Sequence, residues 1–452
     1  MSSKKIVILD GCGVHDQDLD PVLDELSEVL RQDGSQLETF PLRAMKLAHC
    51  LGCFGCWLKT PGMCVEDDDG RKVARAVIQS EMTVFFTPVT FGGYSPELKR
   101  MMDHFIQLIS PYFQIECGEV HHPPRYARQP RLMMVGVQRH ANAHEAYIFK
   151  TLAGRNAINF HPPSYAAEVV ATTDSDDTRR GRFEALLARS DTLPFGEAVA
   201  SLMPPPVISG VADVRDSTRR ALLIVGSPKT ASTSTSSVLG SYLLDRLAKH
   251  GWETESLTLR ASLTREEGEA ALLEASDRAG LILLVFPLYA DALPFLVTKA
   301  LTIMATHRQA ATHPAPQRLA AIVNSGFPET CQNSVALAIS EEFARQSGML
   351  WEGGLALGGG GVVGGQPLTE KKRSGPPVKH VIRALDLTAA ALAEGRPAPA
   401  EAARLMAKNP IPLIPFALWR WIYIRFGGKG FEREAAKNGI SREGMLERPY
   451  AA

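Results

Sequence analysis

The chain has 452 residues, 45% apolar and 22% charged, the make-up of a folded protein too long for one ordinary core; two domains and a tail are expected. Its 49 basic and 49 acidic residues cancel, which leaves no electrostatic footprint for nucleic acid, so a ligand must be recognised locally. The start runs from Lys4-Lys5 straight into Ile6-Val7-Ile8-Leu9 with no long apolar core or cleavage site, so a cytoplasmic protein is expected. The apolar stretch Pro410 to Phe426 holds three prolines and two arginines, too short and interrupted to span a bilayer as a helix.

Along the chain, Lys5 to Leu9 reads as a strand, and Asp20-Pro21 opens a helix reaching Arg31, with a cap residue followed by proline at the first helical position. Gln36 to Phe40, Met82 to Thr87, Arg131 to Val137 and Tyr165 to Ala171 are the next predicted strands, separated mostly by helical periodicity. A helix near Asp177 to Ala188 closes the unit, and the proline-rich Met203 to Val207 reads as linker. The order then restarts. Strands are predicted at Arg220 to Val225, Thr254 to Leu259, Leu281 to Phe286, Arg318 to Asn324 and Leu350 to Leu357, with helices at Ser236 to Lys249, Phe295 to Thr306 and Ser334 to Ser347. Such alternation implies two α/β domains in tandem, each a doubly wound parallel sheet of order 2-1-3-4-5, the flavodoxin-like arrangement. The expected boundaries are 1–202, a linker at 203–218, 219–397, and a helical tail at 398–452.

An internal repeat supports the duplication. Thr87-Pro88-Val89-Thr90-Phe91 with Lys99 downstream parallels Phe286-Pro287-Leu288-Tyr289 with Lys299 downstream, the spacings differing by one residue. The second unit lacks the cysteine segment of the first, so the cysteines are not needed to make the fold.

The loop from Gly226 to Ser236 joins the first strand of unit two to its first helix, the edge at which open α/β sheets bind ligands. Ser227, Lys229, Ser232, Ser234 and Ser236, with backbone N–H groups and the helix dipole, suit a phosphate; a capping loop rich in hydroxyls is the plain alternative. The matching loop of unit one, Asp10-Gly11-Cys12-Gly13 through Asp16 and Asp18, carries three carboxylates that would repel a phosphate dianion. After the third strand, Thr87, Pro88, Val89, Thr90, Phe91, Gly92 and Tyr94 offer polar backbone and aromatic surface to a flavin ring, as do Pro287, Leu288 and Tyr289 less fully; packing beneath the following helix is the alternative for Phe91 and Tyr94.

Seven cysteines occur, and Cys50, Cys53, Cys56 and Cys64 crowd into fifteen residues as C-x2-C-x2-C-x7-C. Four thiolates at this spacing can wrap a [4Fe-4S] cluster; tetrahedral zinc and plain packed thiols are the competing uses. Weaker features are Asp67-Asp68-Asp69, a metal or cap cluster or more plainly a solvated acidic turn; His121-His122 with Arg125-Tyr126, a contact for a nicotinamide phosphate or substrate or more plainly a surface loop; and the glycines Gly358 to Gly361 with Gly364-Gly365, which could let a ring or a subunit approach or simply flex.

Together the hydroxyl-rich Gly226-Ser227-Pro228-Lys229 loop, the Thr87-to-Tyr94 segment with Lys99 and Asp103, and the four cysteines followed by Asp67-Asp68 resemble the NAD(P)H-dependent FMN reductase family of flavodoxin-like proteins. The first unit resembles its iron–sulfur flavoprotein branch. The resemblance implies noncovalent FMN, homo-oligomers, and electron transfer from NAD(P)H or a ferredoxin to a flavin, quinone or other small acceptor. It also implies that the coenzyme supplies the chemistry, so no catalytic side chain is assigned. An electron carrier without turnover and a cofactor-free redox sensor or scaffold are the rival readings. Unit one lacks the serine-rich loop and unit two lacks the cysteines; the tail with Trp419, Trp421 and Arg448-Pro449-Tyr450 matches no motif of the family.

Overall fold

The structure, a computed structural model, describes residues 4–31, 34–192, 218–230, 234–265, 267–312, 314–369, 376–409 and 414–451. The chain divides into two compact units, Met1–Pro204 with Trp421–Ala452, and Pro205–Arg420. Residues 421–452 thus belong with the first unit rather than to a tail standing apart; the expected linker lies almost wholly outside the described residues.

In the first unit, β1 (Lys5–Asp10), β2 (Gln36–Pro41), β3 (Met82–Pro88), β6 (Arg131–Gln138) and β7 (Tyr165–Ala171) form one parallel sheet in the order β2-β1-β3-β6-β7. Between β3 and β6 a short antiparallel hairpin, β4 (Gln114–Glu116) and β5 (Glu119–His121), departs from the expected alternation. The central strands are apolar on both faces because helices cover both. Val84 and Phe86 of β3 join Ile6, Ile8, Val22, Leu26, Phe183 and Leu186 in one core. Phe85, turned the other way by the period of two, meets Tyr94, Phe105 and Phe160 in an aromatic layer.

The second unit repeats the plan. Its strands β8 (Arg220–Val225), β9 (Glu253–Thr258), β10 (Leu281–Pro287), β11 (Arg318–Asn324) and β12 (Leu350–Leu357) run parallel in the order β9-β8-β10-β11-β12. Helices Thr235–Lys249 and Pro376–Ala393 pack together over one face, with Leu239, Leu243, Val381 and Leu385 buried against Leu223 and Leu283. Both sheets therefore carry the 2-1-3-4-5 order, and the first and third strands of each bring their loops to the same carboxyl edge.

The duplication extends to single hydrogen bonds. Gly11 donates its N–H to Phe86 O and Gly226 to Val285 O, each at 2.8 Å; Val89 donates to Val137 O and Leu288 to Asn324 O. Equivalent reverse turns follow, bridged Thr90 to Gly93 and Tyr289 to Ala292, with left-handed pairs Phe91-Gly92 and Ala290-Asp291 at their tips. The two lysines fail to correspond. Helix Pro96–His104 and helix Phe295–Ala310 begin seven residues after Pro88 and Pro287 respectively, when Ser95 and Pro294 are taken as their caps, so Lys99 matches Thr298, and Lys299 is turned about 100° away. Lys99 is buried on Asp103, whereas Lys299 pairs with Glu269 at the surface.

Candidate functional site

The loop after β8 enters helix Thr235–Lys249, whose N-cap Ser234 accepts from Ser237 N at 3.1 Å. Ser227 is buried and accepts from Lys229 N; Ser236 is buried and receives Asn324 Nδ2 at 2.7 Å, while Asn324 also donates to Phe286 O. Thr235 donates to Gly360 O. These bonds tie the start of the helix to the ends of β10 and β11 and to the loop after β12, so Ser234 and Ser236 stand at the carboxyl edge of the sheet, where Ser227 follows β8. Ser232 lies outside the described residues. The segment holds one cation, Lys229, and no carboxylate. The glycine run is a fastened loop, not a loose one: Gly359 N donates to Phe327 O and Gly360 N to Ser325 O. Asn324 went unremarked in the sequence, although a polar residue ending the apolar run Ile322-Val323 was the signal.

The corresponding loop of the first unit is closed on itself. Cys12 N donates to the buried Asp10 carboxylate at 2.9 Å, Gly13 N to Asp16 at 2.7 Å, and Arg139 binds Asp16 and Asp18. Burial raises the Asp10 carboxyl, opposed by Cys12 N–H and Arg43, and burial together with Asp10 drives the Cys12 thiol far up. The backbone donors that a phosphate would use here, Cys12 N and Gly13 N, already hold carboxylates.

After β3, Thr87 is buried and its hydroxyl accepts from Ser95 N, while Ser95 caps helix Pro96–His104 and donates to Gly11 O at 2.5 Å. Pro88 is buried, and Val89 and Thr90 are partly open. Phe91 and Tyr94 are buried: Phe91 is 6% exposed, and Tyr94, 2% exposed, donates to Asn156 Oδ1 of helix Ala143–Phe160 and lies edge-on to Phe149 and Phe85. Gly92, at φ +80°, is the residue the turn requires, because a Cβ would stand 2.5 Å from Ile148 Cβ. In the second unit Pro287, Leu288 and Tyr289 are each partly exposed, so that turn presents the more open surface.

Helix Pro96–His104 runs from this edge to the cysteine segment. Lys99 and Asp103 form a buried ion pair on it, and His104 meets Ala48 O at 2.8 Å, just before Cys50. Asp68 caps helix Asp69–Gln79 and also receives Ala48 N, so the acidic turn pins the cysteine loop instead of merely meeting solvent. The four thiols lie close enough for their charges to act on one another: burial first, then the neighbouring cysteines, raise Cys56 well above its ordinary value, and burial followed by Asp103 pushes Cys50 up to about 12. Among the described residues no three His, Cys, Asp or Glu side chains stand in metal-coordinating geometry, and none of the seven cysteines forms a disulfide.

The C-terminal segment closes over this loop. Arg125 donates to Gln107 O, Met445 O and Glu447 O at 2.8–2.9 Å, and Tyr450 reaches Gln107 Oε1, which also accepts from Cys64 N. Pro449 rests on Gly62, where a Cβ would come within 2.5 Å of it. Trp57 is fully buried, donates to Ile106 O and Ile109 O, and packs with Phe54, His122 and Phe431. His121, Arg125 and Tyr126 are therefore buried and His122 half-buried, so the segment is tied into the unit: burial holds His122 down to about 4, and against the burial that raises Glu119, hydrogen bonds from His121 and Arg155 hold it at about 2. Nothing in the sequence pairs Arg125 with residues 445–447, which lie more than three hundred positions away.

Residues 5–170 match the family model of NADPH-dependent FMN reductase. An iron-sulfur flavoprotein of Archaeoglobus fulgidus is 27% identical over 85 residues, 19% of this chain and 38% of that protein. The iron-sulfur flavoprotein MJ1083 of Methanocaldococcus jannaschii is 30% identical over 79 residues, 18% of this chain and 40% of its own. The chain thus spans less than half the length of these curated relatives. A solved FMN-dependent NADH-azoreductase from Bacillus anthracis, in complex with FMN, aligns over 38% of this chain and 99% of its own at 11% identity and a TM-score of 0.28.

Proposed function

We propose that the protein is an FMN-dependent oxidoreductase drawing electrons from NAD(P)H, a reading that proceeds from the match of residues 5–170 to the NADPH-dependent FMN reductase family model. The observation that carries the choice of coenzyme site is the electrostatic contrast between its two equivalent loops. The loop 226–236 combines hydroxyls, Lys229 and a helix N-terminus with no carboxylate, whereas Asp16 already occupies its counterpart. On this reading Ser227, Lys229, Ser232, Ser234 and Ser236 hold the phosphate, and Pro287, Leu288 and Tyr289 border the ring. Thr87 to Tyr94 keep a role through backbone groups only, since their aromatics are packed inside.

FMN when bound supplies two-electron acceptance from a nicotinamide and one- or two-electron delivery onward. The protein's contribution is to anchor the phosphate, restrict water at the sheet edge through the fastened loops after β11 and β12, and select the acceptor by shape. A quinone or a second flavin is the acceptor class proposed. The spacing and donor chemistry of Cys50, Cys53, Cys56 and Cys64 are those of a [4Fe-4S] site, but among the described residues these thiols do not stand in metal-coordinating geometry; with a cluster bound there, a ferredoxin-like partner would be an alternative electron source. Cysteines outside any disulfide suit a cytoplasmic setting, and association into homo-oligomers is part of the same reading.

The test is anaerobic purification followed by an absorption spectrum, FMN and iron assays, and NAD(P)H oxidation with a quinone. About one flavin per chain, and about four irons if the cluster is present, are expected. Ser227→Asp should expel the flavin by placing a carboxylate against the phosphate. Colourless folded protein, or no NAD(P)H turnover with any quinone or flavin, would overturn the proposal; unchanged flavin in Ser227→Asp would refute the assignment to this loop.

A further inference from the structure

Helix Phe416–Phe426 reads F-A-L-W-R-W-I-Y-I-R-F, and not one of its residues is buried. Trp419, Ile422, Tyr423 and Ile424 are half-buried, Tyr423 against Phe113, which leaves the rest of the apolar face open, and a soluble surface seldom carries such a patch without a partner. Phe416, Leu418, Trp421 and Phe426 are 40–58% exposed. The flanking sequence carries charge of one sign: from Ala402 to Phe431 it has Arg404, Lys408, Arg420, Arg425 and Lys429 and no acidic residue. Glu329 takes part of the charge of Arg420, whereas Arg425 and Lys429 are exposed, each lying over the ring of Phe426.

We propose that this helix lies on an anionic lipid surface, its aromatics entering the headgroup boundary and its cations meeting the lipid phosphates. Tryptophan, tyrosine and phenylalanine interleaved with arginine is the composition of an interfacial helix, and long cationic side chains reach back to the headgroups from apolar neighbours. The charge complementarity favours lipid over a second copy of the chain, because a copy would bring the same uncompensated cations to the contact. Eleven residues cannot cross a bilayer, and no described helix is long and apolar enough to do so, so the contact lies in the plane of the surface. The proposal is independent of the flavin assignment.

Co-sedimentation of the intact protein with vesicles of phosphatidylcholine, with and without phosphatidylglycerol, tests it. Binding is expected to the anionic vesicles, reduced by salt. Arg425→Gln with Lys429→Gln should weaken it by roughly five-fold per cation. Leu418→Glu with Trp421→Glu should reduce it at least about tenfold on either vesicle, with unchanged far-ultraviolet dichroism, because both side chains are exposed. Absence of binding to anionic vesicles, binding indifferent to Leu418→Glu with Trp421→Glu, or a dimer by light scattering that these substitutions dissociate while vesicle binding is absent, would each overturn it.

Discussion

Replacing Arg125 by methionine keeps an apolar stem in place while removing the donors that hold the C-terminal segment. Two of its hydrogen bonds, 2.9 Å to Met445 O and 2.8 Å to Glu447 O, reach that segment directly. Hydrogen bonds from a charged group contribute about 1.5–3 kcal/mol each, so the pair sums to about 3–6 kcal/mol. Glu447 O is only partly buried and water can replace one bond, which brings the expected loss toward about 3 kcal/mol, or roughly a hundredfold in the population with the segment undocked. Undocking uncovers Gly62 and the cysteine loop, so metal-free protein should show Cys56 and Cys64 alkylated by iodoacetamide on the order of a hundredfold faster, read by mass spectrometry. Loss of the Arg125 charge works the other way on Cys56, but burial is the largest influence on that thiol and Arg125 the smallest, so exposure dominates. Cys331, exposed in the second unit, is the internal reference. Unchanged Cys56 and Cys64 rates against that reference would refute the role given to the clamp.

Gly92→Ala should destabilise the first unit by about 2–4 kcal/mol in a urea titration, since the new Cβ meets Ile148 at 2.5 Å from a left-handed backbone; a loss below about 0.5 kcal/mol would mean the turn moves freely. Asp16→Ala removes the acceptor of Gly13 N and of Arg139, costing about 1–2 kcal/mol of stability while flavin content stays constant; altered flavin content would assign the coenzyme to the first unit. Acid should weaken the first unit in two stages. His122 titrates near 6.5 unfolded but about 4 folded, so stability present above pH 6.5 falls as the pH drops toward 4; Glu119, at 4.5 unfolded and about 2 folded, contributes above 4.5 and is lost toward 2. Urea midpoints of the first unit that stay flat from pH 6.5 to 4 would contradict the His122 assignment.

Short continuous apolar runs flanked by caps and turn residues were enough to specify both sheets, because the central strands of a doubly wound sheet are buried on two faces and cannot disguise their composition. The duplicated loops after β1, β3, β8 and β10 were legible for the same reason: strand ends fix where the chain must turn, and glycine, proline and serine mark how. What composition could not convey was occupancy of space. Phe91 and Tyr94 are chemically fit to stack on a ring, yet the helix Ala143–Phe160 brings Ile148, Phe149 and Asn156 onto that turn and takes them into the core. Lys99 and Lys299 looked equivalent in spacing, but one added residue turns a helical side chain by about 100° and separates a buried ion pair from a surface one. The thiol loop was visible as a spacing, while its covering by Arg125, Gln107, Pro449 and Tyr450 joins positions more than three hundred residues apart. Local propensity acts over a few residues and so writes the elements into the sequence; which loops receive a neighbour's side chains, and which stay open to a ligand, is decided only when distant segments compete for the same volume.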